Sequence, residues 1–120
     1  MRIRPERVAN AIKREIGNII QEDLKDPRMG FTTITGVEVT QDLRSAKVYY
    51  SVLGSKKEKK STQVALGSAK GFIRGLIGDR LKLRFTPELF FAVDKSVEYH
   101  DTVNKLLEKI RREKDEKESD

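Results

Sequence analysis

The residues best suited to chemistry in this sequence are lysines and arginines, which gather in two stretches. Residues 44–60 hold six basic side chains and one acidic one, and residues 70–84 hold five basic and one acidic. The second stretch lies within GSAKGFIRGLIGDRLKLRF, Gly67 to Phe85, where four glycines alternate with cations. Clustered cations neutralise phosphates and release counterions, and backbone without side chains lets another chain come close. The two stretches together predict a phosphate-binding surface.

A plainer interpretation stays open for part of this charge. Four of the lysines fall in the run GSKKEKKST, which is typical of a charged loop or of a helix start: Lys56, Lys57, Lys59 and Lys60. Charged residues of this kind also occur simply as a solvated, exposed surface. The aromatic residues Tyr49 and Phe90 leave a similar choice, since each could stack on an unpaired base or pack beneath a helix.

Catalytic and metal chemistry have little support in the sequence. His100 is the single histidine, and the absence of cysteine excludes disulfides, thiolate nucleophiles and cysteine-based zinc sites. The phosphate-loop pattern of nucleotide hydrolases is absent, and no carboxylate stands in an apolar stretch that would raise its pKa. We therefore predict no catalytic residue, no metal, no cofactor and no small-molecule substrate.

Length and charge limit the possible partners. The chain has 120 residues and a net charge of +6, with a pI of about 9.6. That length predicts one domain, and that charge is typical of proteins that meet nucleic acid, an anionic membrane or an acidic partner. No apolar run is long enough to span a membrane, and the first residues lack the apolar core of a signal peptide. We therefore predict a cytoplasmic protein.

Hydrophobic periodicity predicts an α+β domain. A helix over about residues 5–25 should end before Asp26-Pro27, because the residue before proline avoids helical geometry. FTTITGVEVT and SAKVYYSVL should pair as an antiparallel hairpin with a bulge at Gly36. A helix over about residues 63–82, a strand in TPELFFAVD and a last helix carrying Tyr99 to Ile110 follow. This order predicts a three-stranded sheet with helices on one face, a domain over residues 1–112, and a disordered charged tail over residues 113–120.

The glycine-bearing helix has two distinct sides. At roughly 100° per residue, one side carries an apolar stripe for the core: Ala65, Ala69, Phe72, Ile73 and Leu76. The opposite side carries the glycines, which leave bare backbone edged by Lys70 and Arg74: Gly67, Gly71, Gly75 and Gly78. Glycines weaken a helix, so a kink is expected at Ser68, Ala69, Lys70 and Gly71. GLIG, from Gly75, matches a G-x-x-G phosphate clamp, but its middle residues are directed toward the core.

Two long segments resemble the bacterial ribosome-binding factor A family. They are DPRMGFTTITGVEVTQDLRSAKVYYSVLG and SAKGFIRGLIGDRLKLRFTPELFFAVDKSVEY, and the resemblance extends from Arg4 to about Ile110. It implies a type II KH-like domain in which an Ala-x-Gly kink, here Ala69-Lys70-Gly71, replaces the usual G-x-x-G. The mixed-charge tail departs from longer members. Arg28 in DPR matches the family pattern, and it either contributes to function or fixes the turn after the first helix.

The resemblance also implies a function. Family members bind the free 30S ribosomal subunit, assist late maturation and 5′-end processing of 16S rRNA, support growth in the cold, and are not enzymes. We accordingly expect a monomeric assembly factor whose partners are the small subunit and its precursor RNA. Charge and position select the RNA-binding candidates: Lys70, Arg74, Arg80, Lys82, Arg84, Arg44, Lys47, Lys56 and Lys57. Two alternatives remain, a general KH-like regulator that binds single-stranded RNA and a hydrolase that cleaves the precursor RNA.

Overall fold

The first helix forms where apolar residues recur at helical spacing. The computed structural model describes residues 4–96 and 105–113. In it, α1 spans Pro5–Asn18, and a π-helical turn, Ile19–Asp23, continues it. Pro5 occupies the first turn, where no N–H is needed. Ile12, Ile16 and Ile19 are fully buried, so the helix that hydrophobic periodicity predicts over this segment is confirmed.

The sheet contains one antiparallel and one parallel pair. β1 (Phe31–Val39) pairs antiparallel with β2 (Ser45–Leu53), and their register shifts between Ile34 and Gly36, which confirms the predicted bulge. β3 (Glu88–Val93) lies parallel to β2 on its other side, giving the order β1-β2-β3. β1 and β3 are therefore the outer strands.

The long helix begins earlier than its periodicity predicts. α2 spans Lys56–Leu81, so the run KKEKK is its first turn and not a loop. Ser55 caps it, because the Ser55 hydroxyl accepts a hydrogen bond from the Glu58 N–H at 3.2 Å and the Glu58 carboxylate accepts one from the Ser55 N–H at 3.5 Å. This reciprocal capping box satisfies two backbone donors that would otherwise lack partners. Gln63, the predicted start, lies two turns inside the helix.

The core lies between one face of the sheet and the two helices. Its largest fully buried side chains come from α1 and its π-helical continuation, α2 and the strands: Ile12, Ile16, Ile19, Leu66, Ile73, Ile77, Val48 and Leu89. Thr62 ties α2 to the start of β1, because its hydroxyl accepts from the Gly30 N–H and donates to the Glu58 carbonyl, both at 2.8 Å. Phe72 is a correction to the predicted stripe, since 52% of its surface is exposed while Ala65, Ala69 and Ile73 are buried.

The C-terminal part of the chain is only partly described. Residues 105–113 are helical, as predicted, and their apolar side chains Leu106, Leu107 and Ile110 are more than half exposed. Tyr99 and Val103 of the predicted stripe, and residues 114–120 of the predicted tail, lie outside the described residues. The domain boundary at residue 112 stays a prediction. No helix in residues 4–96 or 105–113 is long and apolar enough to cross a membrane.

Candidate nucleic-acid interface

The outer side of α2 carries a strip of backbone without side chains. Gly67, Gly71 and Gly75 are all exposed, and a Cβ atom added at any of them meets no atom within 4 Å. We call these three residues the glycine face. Nothing in the fold requires glycine there, since the positions are helical and the space around them is open. Gly78 differs, because a Cβ there would lie 2.6 Å from the Thr86 hydroxyl oxygen.

A groove of about 600 Å³ runs beside the glycine face. Its walls are α2 and the loop that leads to β3, and the lining residues are Gly71, Arg74, Gly75, Gly78, Asp79, Arg84, Phe85 and Thr86. We call it the helix groove. Arg74 joins the two walls, because its guanidinium donates hydrogen bonds to the carbonyls of Thr86 at 2.8 Å and Pro87 at 3.2 Å. Carbonyl acceptors are neutral, so Arg74 keeps its full positive charge at the groove.

The lining of the helix groove includes a cation beside an exposed aromatic ring. The Arg84 guanidinium lies 5.6 Å from the centroid of the Phe85 ring, and 69% of the Phe85 surface is exposed. Large apolar side chains of this exposure lose water when a planar group stacks on them, and base–aromatic stacking is worth about 1–3 kcal/mol per base. The sequence interpretation missed Phe85, because the adjacent Arg84 marks a cation beside an aromatic residue but nothing in the sequence indicates that the ring is exposed.

A second series of cations and rings continues from α2 across the open face of the sheet. Lys70 Nζ lies 4.7 Å from the centroid of the Phe90 ring. Phe90 is the register partner of Lys47, and Lys47 Nζ lies 5.3 Å from the Tyr49 ring centroid. Tyr49 also donates a hydrogen bond to Glu38 at 3.3 Å. Phe90 is exposed and does not pack beneath a helix, which leaves its ring available for stacking.

The other predicted cations lie either close to the helix groove or far from it. Arg44 adjoins the loop before β3, because its carbonyl accepts the Glu88 N–H at 2.8 Å. Lys82 caps α2 in a left-handed conformation and begins the same loop. Lys56 and Lys57 stand in the first turn of α2, where a rise of about 1.5 Å per residue puts them roughly 20 Å from Lys70. They extend the basic side of the helix but do not line the groove.

Arg80 forms ion pairs that its charge alone did not indicate. Its guanidinium donates to Asp23 at 2.8 Å and to Glu15 at 3.5 Å, so it joins α2 to the first helix. The Asp23 carboxylate raises the pKa of Arg80 further above its usual range. Because two carboxylates match its charge, Arg80 attracts a phosphate less strongly than Arg74 does, and its contact with RNA stays a prediction. These partners are distant in sequence, and no local pattern indicated them.

The four residues predicted to kink the helix lie inside α2, which continues through them as one element. Ser68 and Gly71 are exposed, Ala69 is buried and Lys70 is half-buried. A kink therefore does not divide α2 into two helices, and a bend within it stays a prediction. In GLIG, Ile77 is fully buried and Leu76 is half-buried, as the helical phase predicts.

Arg28 fixes the turn before β1. Its guanidinium bonds to Asp26 at 2.7 Å, and its carbonyl accepts the Ser61 hydroxyl at 2.9 Å. The hydrogen bond from Arg28 lowers the pKa of Asp26 to about 2. This pair stabilises a turn away from the helix groove. No group of three or more potential metal ligands occurs within residues 4–96 and 105–113.

Comparison with known proteins identifies the family. The family model described as "Ribosome-binding factor A" matches residues 4–107. A protein of that name from Halothermothrix orenii is 48% identical over 99% of this chain and 95% of its own length. Another, from Carboxydothermus hydrogenoformans, is 46% identical over 96% of this chain and 92% of its own length.

Solved structures show the same fold. A Thermotoga maritima protein described as a ribosome-binding factor A has a solution NMR structure that matches with a TM-score of 0.65 and 37% identity, over 72% of this chain and 83% of that one. A homology model of Thermus thermophilus ribosome-binding factor A, fitted into a cryo-EM map of a 30S complex, matches with a TM-score of 0.62 and 24% identity, over 72% of this chain and 91% of that one. Together with the relatives, these matches leave one conclusion: this chain belongs to the ribosome-binding factor A family.

Proposed function

We propose that this protein binds the free small ribosomal subunit and assists late maturation of its RNA, including processing of the 5′ end of the 16S precursor. Membership of the family supports a ribosomal partner, and the Thermus thermophilus neighbour that was fitted into a 30S complex supports the small subunit. In this proposal the protein acts in the cytoplasm, as a monomer, during growth in the cold, and catalyses no step. Its contribution is to stabilise one conformation of the RNA.

One observation carries the proposed mechanism. The glycine face, which no packing requirement explains, lies beside cations that have no carboxylate partner among the described residues. An RNA backbone in the helix groove would contact main chain at Gly71 and Gly75 while Arg74 and Arg84 neutralise its phosphates. Asp79, also in the lining, would repel a phosphate placed beside it, so we expect the strand to follow the Arg84 side.

The exposed rings extend this mechanism to unpaired bases. Phe85 at the groove and Phe90 on the sheet each have a cation beside the ring. RNA-binding proteins commonly stack splayed-out bases on such rings while neighbouring cations hold the backbone. A single strand crossing from the helix groove to the open face of the sheet would meet both, and we propose that path.

The test compares two triple variants, each of which loses three positive charges. Lys47→Gln, Lys70→Gln and Arg84→Gln together remove three cations from the proposed surface. Lys105→Gln, Lys109→Gln and Arg111→Gln together remove three exposed cations from the terminal helical segment. Each phosphate contact contributes about 0.7–0.9 to the slope of log K against log salt, so the first variant should lose roughly two to three units of slope on purified small subunits. The second should keep its slope.

The same assay separates the alternatives. At matched salt, an assembly factor should prefer intact small subunits to a free single-stranded oligonucleotide, whereas a general RNA regulator should bind both equally. Circular dichroism must show that each variant is folded. If the folded surface variant binds subunits with the salt slope of the parent chain, the proposed interface is wrong. Cleavage of precursor RNA by the purified protein alone would instead support the hydrolase alternative.

A further inference from the structure

A second groove, which the mechanism above does not use, lies between α1 and β1. It encloses about 660 Å³. On one side it is lined by residues of the first helix and its π-helical continuation: Asn10, Lys13, Arg14, Gly17, Ile20 and Gln21. On the other side it is lined by five consecutive residues, 30–34. We call it the strand-edge groove.

The strand side of this groove is the edge of β1. Side chains alternate between the two faces of a strand, so consecutive residues line one groove together only where that groove follows the strand's edge. β1 is an outer strand, paired with β2 alone. An outer strand presents unpaired backbone N–H and C=O groups at regular spacing, which is a template for another extended chain. The groove therefore offers backbone hydrogen-bonding groups along one wall.

The helix side of the groove is basic. Lys13 and Arg14 are exposed, and within the part of the chain that the structure describes neither forms an ion pair. No acidic residue lines the groove. Uncompensated cations beside a strand edge favour an occupant with carboxylates.

The groove also has apolar surface that a purely ionic ligand would not contact. Ile20 is half-buried at its floor, and Phe31 at its end is 75% exposed. Gly17, in the wall of α1, has no atom within 4 Å of an added Cβ, so the fold does not require a glycine there. Its bare backbone leaves room for a neighbouring chain.

We propose that the strand-edge groove binds an extended acidic peptide segment of a partner protein, which adds to the sheet as a fourth strand beside β1. Backbone pairing with residues 31–34 supplies affinity, alternate apolar side chains pack on Ile20 and Phe31, and carboxylates meet Lys13 and Arg14. RNA satisfies the cations but offers no regular series of amide donors and acceptors for the strand edge. The proposal does not depend on the function of the helix groove.

The probe for this proposal is a fluorescently labelled ten-residue peptide of alternating glutamate and valine with blocked ends. Fluorescence anisotropy with the full chain should show saturable binding. The same peptide with its four central amides N-methylated cannot pair on either edge, and a lysine–valine peptide has the wrong charge. We expect each control to bind at least tenfold more weakly, and amide exchange of residues 31–34 to slow when the first peptide is bound.

Two variants in the groove, with one control variant outside it, locate the binding. Lys13→Glu with Arg14→Glu should weaken binding at least tenfold, whereas Lys105→Glu with Lys109→Glu, an equal change of charge, should leave it unchanged. Gly17→Gln should fill the groove and weaken binding while the domain keeps or gains thermal stability, because glutamine is the better helix former. Weaker binding together with unchanged or higher thermal stability would show that a binding contact was lost and that the domain is still folded.

Three results would overturn the proposal. Equal binding of the N-methylated and unmodified peptides would show that strand pairing plays no part. Oligouridylate that slows exchange of residues 31–34, where the acidic peptide does not, would assign the groove to RNA. Sedimentation of the chain as a dimer that Gly17→Gln dissociates would assign the edge to a second copy.

Discussion

Replacing the glycines beside the helix groove should stabilise the protein while it weakens subunit binding. Gly71 and Gly75 are helical and exposed, and an added Cβ at either meets nothing within 4 Å. Exposed mid-helix glycine is less favourable than alanine by about 0.8–1.0 kcal/mol, so Gly71→Ala with Gly75→Ala should gain roughly 1.5–2 kcal/mol. For a domain near 100 residues each kcal/mol raises Tm by about 4–8 °C, which predicts a rise of roughly 6–16 °C.

Longer side chains at the same positions should weaken subunit binding without lowering the stability of the domain. Glutamine is also a good helix former, so Gly71→Gln with Gly75→Gln should remain at least as stable as the parent chain. Its side chains would occupy the helix groove, and we expect the affinity for purified small subunits to fall at least tenfold. Gly67→Gln is the matched control, because Gly67 is equally free of contacts but does not line the groove.

Gly78 provides a contrast within the same helix. A Cβ there would lie 2.6 Å from the Thr86 hydroxyl oxygen, so Thr86 must leave its rotamer. A distortion of that kind costs about 0.5–1.5 kcal/mol, which cancels the gain in helix propensity. Gly78→Ala should therefore show little or no rise in Tm.

If the double alanine variant melts lower than the parent, the open geometry is wrong. If the stable glutamine variant binds subunits normally, RNA does not contact this backbone.

Three further substitutions test the contacts that position the two grooves. Arg80→Glu should lower Tm by placing a third carboxylate beside Asp23, and adding Asp23→Lys should recover much of the loss in the same melting assay. Thr62→Val should lower the free energy of unfolding in urea by about 1 kcal/mol, because the half-buried Gly30 N–H loses its acceptor. Asp26→Asn should lower stability at neutral pH. Because folding lowers the pKa of Asp26 from 3.8 to about 2, its contribution is complete above pH 3.8 and disappears as the pH falls through 2, so melting curves of variant and parent should converge there.

Local patterns in the sequence predicted the elements well. The hairpin, its bulge at Gly36 and the burial of Ile73 follow from side-chain periodicity and from glycine's lack of a Cβ atom. The early start of α2 also had a local signal, since Ser55 and Glu58 have the spacing of a capping box. Periodicity missed it because the first turn is polar on every side, and an apolar stripe appears only later in the helix.

Contacts between distant elements could not be read in this way. A helical projection places Phe72 in the core stripe, but whether a side chain there is covered depends on where the sheet ends. The strand-edge groove depends on β1 being an outer strand, which no residue of β1 reveals. Phe85 lies in a loop, where neither helical nor strand periodicity applies, and its exposure depends on how Arg74 holds that loop.

Arg74 and Arg80 show why the chemistry of the acceptor decides what an arginine can bind. Both lie on α2, and both bond to residues outside that helix. Arg74 donates to neutral carbonyls, so it positions the loop and still attracts phosphate. Arg80 donates to carboxylates, so its charge is already matched. Replacing Arg80 would therefore weaken the junction of the helices before it changed any RNA contact, and a loss of subunit binding in that variant would say nothing about the interface. Lys70 and Arg84 face aromatic rings instead of carboxylates, and their removal tests the interface directly.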